Sequence, residues 1–384
     1  MAQQNSSKQH VVVIGAGVVG LQTSLFLLEE GYRVTTLAQF FPGDHDTTYT
    51  SPMAGGQWRS HAAPGQEQCD WDLETYKYWS DIIDEEDKHP EIPFEEKSGL
   101  GRYPSHTYWN SLSSPDLLHL KDNSPQNLWW TSHVPNFAPL SPTSFPSTSP
   151  PIKLGVAYTS FTFNPEKHIK YLLNRVLGAG GRTIRATLPT KEGGIIGALE
   201  EARRLAAAAE EEDPVFINAT GLGARTFVPD DAMQPIRGQT IIVKGEAERI
   251  STHLLFSDTT DSADSDERIA YVVPRKGTGT TIIGGTKQVG NWDTEPDEGV
   301  SRDILGWARG LAPELVRGGG ELEVLKVQVG LRPGRKGGAR VESEVLGGAK
   351  GMRVVHAYGH AGAGFQNSVG CARKVVRLVK MLVK

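Results

Sequence analysis

Two groups of residues have types and spacings that could do chemistry. The first is the turn Gly15-Ala16-Gly17-Val18-Val19-Gly20. Its glycines let the backbone approach a pyrophosphate, and it opens a helix whose free N–H groups and dipole favour an anion. Such a spacing alone is a weak signal. Here it follows the apolar run at residues 10–14 and precedes Leu21, Leu25, Phe26 and Leu28 at helical spacing, the context in which it marks a dinucleotide site. The acid that often meets the ribose about 20 residues further on is missing, because the second strand ends at Ala38-Gln39. The second group centres on Arg332, between Gly330-Leu331 and Pro333. It is predicted to stand on a rigid turn, where a planar guanidinium can grip a carboxylate through two parallel hydrogen bonds. Nearby Arg335, Lys336 and Arg340 read as a solvated basic face, and His356 and His360, in an apolar strand-to-loop passage, read as structural histidines and not as bases.

These groups need a scaffold. Residues 33–37 read as a second strand, which gives a βαβ opening. The stretch 133–151 carries six prolines among serines and threonines and is expected to be a surface loop between two parts of the fold. Residues 196–212 suit an exposed helix, followed by a strand at 215–217 that leads into Asn218-Ala219-Thr220-Gly221. Residues 269–273 and 280–283 flank the turn-rich stretch 275–279 and predict an antiparallel pair. A strand at 352–355 passes through glycines into an apolar-periodic helix that ends near residue 384.

The C-terminal stretch Val354-Val355-His356-Ala357-Tyr358-Gly359-His360-Ala361-Gly362-Ala363-Gly364, with Gly370 and Ala372 beyond it, closely resembles the signature of D-amino acid oxidases and D-aspartate oxidases. Ser51-Pro52-Met53-Ala54-Gly55, Arg237-Gly238-Gln239, Tyr271-Val272-Val273-Pro274, Gly284-Gly285-Thr286 and Gly330-Leu331-Arg332-Pro333 follow in family order, so the resemblance spans residues 10 to about 380. It implies an α/β fold, with a Rossmann-like FAD-binding domain (1–52, 155–235 and 326–384) and a mostly antiparallel β-sheet substrate domain (53–154 and 236–325). FAD would be held non-covalently, since no cysteine or histidine is suitably placed for attachment. Its contacts would come from the first glycine turn (Gly15, Ala16, Gly17, Val18, Val19, Gly20), from Gln39, Thr47, Thr48, Ser51, Ala54, Gly55, Gly56 and Gln57, and from Thr220, Gly221 and Arg332. The set is completed by Gly359, Gly362, Ala363, Gly364, Phe365 and Gln366, where backbone groups and a helix dipole would stabilise charge on the reduced flavin.

The same resemblance implies that Arg332 and Tyr271 bind the α-carboxylate of a D-amino acid and that a backbone carbonyl near Gly362 orients its amine. Hydride would pass to flavin N5 and then, as electrons, to dioxygen, giving hydrogen peroxide, a 2-oxo acid and ammonia, with no side-chain base at the α-carbon. For the side chain, Lys287 follows Gly284-Gly285-Thr286 where D-aspartate oxidases carry an arginine, His61 falls where they carry a histidine, and Arg59 is near. The expected substrate is therefore D-aspartate, extending to D-glutamate, with His61 helping as a cation. A broad oxidase of neutral D-amino acids is the alternative, and a flavoprotein without oxidase activity a remote one. The arginine of mammalian D-aspartate oxidases upstream of Tyr271 is unmatched, because Asp264 falls there and Arg268 is displaced.

Composition narrows the remaining choices. The chain has 384 residues, 38% hydrophobic and 22% charged, with a formal net charge of -5. That profile lacks the basic field of a nucleic-acid binder. No apolar run reaches the roughly 18 to 20 residues of a membrane helix, and the polar N-terminus carries no signal-peptide pattern, so no membrane partner and an intracellular location are expected. Family resemblance points to the peroxisome, yet the chain ends Leu382-Val383-Lys384 without a Ser-Lys-Leu-like tripeptide, which leaves the cytoplasm if the chain is complete. Cys69 and Cys371 have no metal-ligand spacing and are expected as reduced thiols; no metal is expected. The partners are then a small D-amino acid and dioxygen, and a homo-oligomer is compatible with the sequence.

Overall fold

The computed structural model describes residues 9–112, 114, 117, 120, 124–190, 194–206, 213–256, 268–316, 320–347 and 351–384. Asp264 and the last third of the helix expected at 196–212 lie outside these residues. In chain order the strands are β1 (His10–Ile14), β2 (Arg33–Ala38), β3 (Leu100–Trp109), β4 (Ala138–Pro139), β5 (Leu154–Phe163), β6 (Arg182–Arg185), β7 (Val215–Asn218), β8 (Met233–Lys244), β9 (Ile250–Leu255), β10 (Arg268–Arg275), β11 (Thr280–Gly284), β12 (Gln288–Val289), β13 (Val324–Arg335), β14 (Arg340–Leu346) and β15 (Met352–Tyr358). The chain divides into two compact units, residues 1–52, 169–235 and 333–384, and residues 53–168 and 236–332.

The first unit is built on a six-stranded sheet in the order β14-β15-β7-β1-β2-β6. All pairs are parallel except the edge pair β14–β15. A sheet buried on both faces needs continuous apolar strands. Val11, Val12 and Val13 of β1 and Val215, Phe216 and Ile217 of β7 supply them, all fully buried. Helices Val18–Glu29 and Ser368–Leu382 pack on each other. Helix Gly194–Leu205 was expected to be exposed, but it buries Ala198, Leu199 and Ala202 in a cluster with Val12, Leu37 and Phe216. These apolar residues at i, i+1 and i+4 make that face.

The second unit is built on a nine-stranded, mostly antiparallel sheet, in which the pair β3–β9 is parallel. Ile241, Val243, Val272 and Ile283 meet Ile304, Ala308 and Leu311 of helix Glu298–Leu311, which is N-capped by Asp297 accepting from Val300 N–H at 2.8 Å.

Three expectations are corrected here. The domain limits expected at 155 and 326 fall at 169 and 333, because β5 pairs along its whole ten residues with β3, and β13 pairs with β8. The proline-rich stretch 133–151 lies inside the second unit, where Ala138–Pro139 pairs with β5, instead of linking two parts of the fold. Arg332 stands within strand β13 and not on a turn, and Pro333 is accommodated there because the chain goes on into the single bridge Gly334–His360. The two cysteines are buried free thiols.

Candidate functional site

The first unit carries the glycine turn between β1 and helix Val18–Glu29. Gly15 has φ +114°, and a Cβ built on it would lie 2.3 Å from the Ala219 carbonyl oxygen. A Cβ on Gly20 would lie 2.0 Å from the Gly15 carbonyl oxygen. Only glycine fits either place, so the turn is held tightly against the end of β7. Val18 N–H donates to Ser51 Oγ at 3.0 Å, and the Tyr49 hydroxyl donates to the Ala16 carbonyl at 2.8 Å. The C-terminal glycines reach the same place: a Cβ on Gly364 would be 3.9 Å from Val18 Cγ1. A cleft that excludes side chains and lies at a helix start suits a pyrophosphate, and in this respect the residues present fit FAD.

Other expected cofactor residues are differently employed. Gln39 accepts from Arg185 through its carbonyl at 3.0 Å, and Arg185 also pairs with Asp44, so this acid after β2 is already engaged. Thr48 spends its hydroxyl on Asp46, while Thr47 is half-buried beside it. Thr220 Oγ1 donates to Asn218 Oδ1 at 2.7 Å, next to Gly221. Asn218 Nδ2 donates to His356 Nδ1 at 3.1 Å, so His356 gives its Nε2 proton to Glu344 at 2.8 Å. Burial lowers the pKa of His356, which is a structural link, and burial alone brings His360 to about 4. Gly359 packs on Arg335, Gly362 is exposed in the short turn Ala361–Ala363, and Phe365 and Gln366 are buried just before helix Ser368–Leu382. Arg335 and Arg340 do not form a solvated face: Arg335 Nε donates to Asp230 at 2.8 Å, and Arg340 is paired with Glu342 and Glu344.

The second unit brings Arg332, Tyr271, Arg59, His61 and Lys287 into one cluster. Arg332 Nη1 donates to the Thr286 carbonyl at 2.9 Å, and its guanidinium lies so close to Gly238 that a Cβ there would be 2.5 Å from both Nη atoms. Tyr271 is enclosed in the same way, since a Cβ on Gly284 would be 2.4 Å from Cζ, one on Gly285 2.8 Å from the hydroxyl, and one on Gly55 3.1 Å from it. Burial pushes the Tyr271 phenol above its ordinary pKa against the pull of Arg332, which hydrogen-bonds it, so the phenol keeps its proton and can donate. Arg59 Nη2 donates to His61 Nδ1 at 3.0 Å. Because arginine has no acceptor, that nitrogen must be unprotonated. His61 has an exposed edge, but protein crowds its other sides. Desolvation first, and then the charges of Arg59, Lys287 and Arg332, hold its pKa well below the usual imidazole value. The expectation of a cationic His61 is thereby overturned: it is neutral, and its Nε2–H is a donor.

Ala54, Gly55, Gly56 and Gln57, expected at the cofactor, belong to the second unit. Gln57 hydrogen-bonds Thr252, and Gly56 closes on the Phe163 carbonyl. Sequence reasoning missed the frame under Arg332. Gln239 N–H donates to Thr286 Oγ1 at 2.9 Å, and its side chain joins Asp297 and Ser301; Arg237, 2% exposed, is fixed by Gln288 and the Asp293 carbonyl. The motifs Arg237-Gly238-Gln239 and Gly284-Gly285-Thr286 held that signal, which becomes readable once their glycines are seen to make room for Arg332 and Tyr271. Tyr49 was likewise missed.

The chain matches the FAD dependent oxidoreductase (DAO) family over residues 10–378. It is 32% identical to a D-amino-acid oxidase of Fusarium vanettenii, with 97% of each chain covered, and 30% identical to one of Schizosaccharomyces pombe, with 100% of this chain and 99% of the other covered. Glycine oxidase from Bacillus cereus has the same fold, with a TM-score of 0.68 at 15% identity over 97% of this chain and 98% of that one. So does the FAD-bound L-alpha-glycerophosphate oxidase of Mycoplasma pneumoniae, with a TM-score of 0.65 at 14% identity over 97% and 95%. With a glycine cradle in one unit and an arginine–tyrosine pair in the other, the chain belongs to the FAD-dependent oxidoreductases of the D-amino-acid oxidase family.

Proposed function

We propose that the protein oxidises acidic D-amino acids, D-aspartate first and D-glutamate second, consuming dioxygen and water and releasing a 2-oxo acid, ammonia and hydrogen peroxide. The observation that carries this reading is the set of three cations, Arg59, Lys287 and Arg332, whose charges converge on His61. One cation suffices for an α-carboxylate, and a surplus of positive charge favours a substrate with a second carboxylate. Non-covalently bound FAD supplies the hydride acceptor and the route to dioxygen. Arg332, anchored through Nη1 on Thr286, takes the α-carboxylate, and the protonated Tyr271 phenol donates to it. Holding the carboxylate at two points fixes the orientation of the α-hydrogen, so the protein's contribution is position. Lys287 and the neutral His61, turned by Arg59, receive the side-chain carboxylate as cation and donor.

A second reading, an oxidase of neutral D-amino acids, is favoured by the relatives being D-amino-acid oxidases and by the neutrality of His61. Steady-state kinetics of wild type and Lys287→Met on D-aspartate, D-glutamate, D-alanine and D-valine separate the two. Lys287 is exposed, so its loss is expected to cost D-aspartate only about 1 kcal/mol, roughly fivefold in kcat/KM, and D-alanine nothing. A wild-type enzyme that prefers D-alanine or D-valine overturns the acidic reading.

A further inference from the structure

The end of β2 lacks the acid that often meets the ribose of a dinucleotide. What the fold places there instead is an arginine held in one orientation. β6 runs parallel to β2 with Arg185 beside Ala38, so Arg185 stands at the carboxyl end of the sheet, two strands from the glycine turn that follows β1. Neighbouring strands lie about 4.8 Å apart, which puts Arg185 roughly 10 Å from that turn, on the side of β2 where the adenosine half of a dinucleotide lies. Arg185 Nη1 donates to the Gln39 carbonyl at 3.0 Å, and Nη1 and Nη2 donate to the two Asp44 carboxylate oxygens at 2.5 and 3.4 Å. Asp44 is itself fixed, accepting from Phe41 N–H at 2.8 Å. The guanidinium carbon lies over the buried Phe41 ring, 5.4 Å from its centroid. The loop that carries these groups is tied to the glycine turn by Tyr49, which stacks on Phe40 at 5.9 Å, donates to the Ala16 carbonyl and lies within reach of the charges of both Asp44 and Arg185. For all these contacts, the Arg185 side chain is 57% exposed.

A side chain that is held in place and left open is pre-organised, so a ligand that packs on it does not have to immobilise it. With its charge balanced by Asp44, Arg185 offers a planar surface more than a phosphate site, and bases stack on guanidinium planes. We propose that Arg185 is the platform on which the adenine of FAD stacks, and that Asp44 is the positioning residue that keeps its plane. The chain thus recognises the base where related nucleotide sites recognise the ribose through an acid. This inference rests on FAD being the cofactor and does not depend on which amino acid the enzyme oxidises.

The test is release of FAD from the loaded protein, followed by flavin fluorescence on dilution, with ADP and FMN as competitors that carry the adenosine and the flavin halves separately. Alanine in place of a base-stacking side chain weakens binding about 5- to 100-fold, and Arg185→Ala is expected to weaken FAD and ADP alike by a factor in that range while FMN is unchanged. Arg185→Lys keeps the charge without the plane and is expected to lose as much as the alanine variant. Asp44→Asn is expected to cost FAD and ADP a smaller factor, about threefold, as befits an exposed ion pair. Unchanged FAD and ADP affinity in Arg185→Ala would remove Arg185 from the site. An equal loss of FMN would show that Arg185 only supports the fold around the turn, and wild-type affinity in Arg185→Lys would show that charge is read and not the plane. Any one of these results overturns the proposal.

Discussion

The two units prepare for negative charge in opposite ways. The turn at Gly15–Gly20 works by omission: it has no side chains, and its donors are backbone amides whose positions follow from the strand and helix they join. The cluster around Arg332 works by convergence, bringing together side chains from positions 59 to 332 whose geometry depends on a frame of Gln239, Thr286 and Arg237. A site made of backbone tolerates little change in shape and much change in surface. A site made of side chains is the reverse, and its parts can be altered one at a time.

The largest effect should come from the convergent site. On the proposed reading, Arg332→Ala removes a bidentate contact at about 1.5 to 3 kcal/mol per hydrogen bond, and turnover with D-aspartate is expected to fall by two to four orders of magnitude. FAD absorbance should be unchanged; if flavin is lost with the activity, the separation of tasks between the units fails. Next comes the backbone site. Gly20→Ala places a methyl group 2.0 Å from a carbonyl that cannot retreat, so FAD affinity, followed by flavin fluorescence on dilution, is expected to drop at least a hundredfold. An intermediate effect is expected at Gly238→Ala. There the obstructed atoms belong to a side-chain guanidinium that can shift, and a displacement of about 1 Å costs up to about a hundredfold in rate. Here kcat/KM should fall with FAD affinity intact, and an unchanged kcat/KM would mean that Arg332 is not held by this close approach.

The same contrast explains what was legible in the sequence. The glycine turn and the β1 and β7 strands could be read because local periodicity and spacing determine them. The antiparallel pair β10–β11 was equally open, its turn lying between two β-branched runs. Arg332 was read on the wrong element, since Gly-Leu-Arg-Pro looks like a turn locally and its strand depends on pairing with β8. His61 was given a charge because its neighbours in space, Lys287 and Arg332, are more than 200 residues away in the chain and only the fold reveals their repulsion. Tyr49 carried no motif at all; its bond to Ala16 is a tertiary fact.

A smaller effect tests the comparison through acid. Burial holds His168 and His253 of the second unit, and His360 of the first, at about 4. Their unfolded pKa is about 6.5, so the folded-state value is depressed. The unfolded chain takes up the protons first as pH falls, and stability is fully present above about 6.5 and drains between 6.5 and 4. The slope is about 1.4 kcal/mol per pH unit for each such histidine. His106, also brought to about 4 by burial and by Arg249, and His61 add to the second unit. All eight tryptophans lie in that unit as well. On acidification the tryptophan emission should therefore change at a higher pH than the release of FAD, and coincident transitions would show the two units melting as one. Around neutrality, where His61 no longer titrates, the ratio of D-aspartate to D-alanine kcat/KM should stay flat from about pH 6 to 8.

The order of strands in the first sheet has a consequence for biosynthesis. β7, whose four residues are all buried, pairs with β1 on one side and with β15 on the other, and β15 leaves the ribosome more than 100 residues after β7. Until then β7 is an open hydrophobic edge, and helix Ser368–Leu382 is not there to cover helix Val18–Glu29. The nascent chain thus carries a glycine turn that is made long before β15 and helix Ser368–Leu382 arrive to complete its surroundings. Flavin capture becomes a marker of synthesis through helix Ser368–Leu382: chains stalled or terminated before it should stay colourless, expose an aggregation-prone strand and be handed to chaperones or proteases.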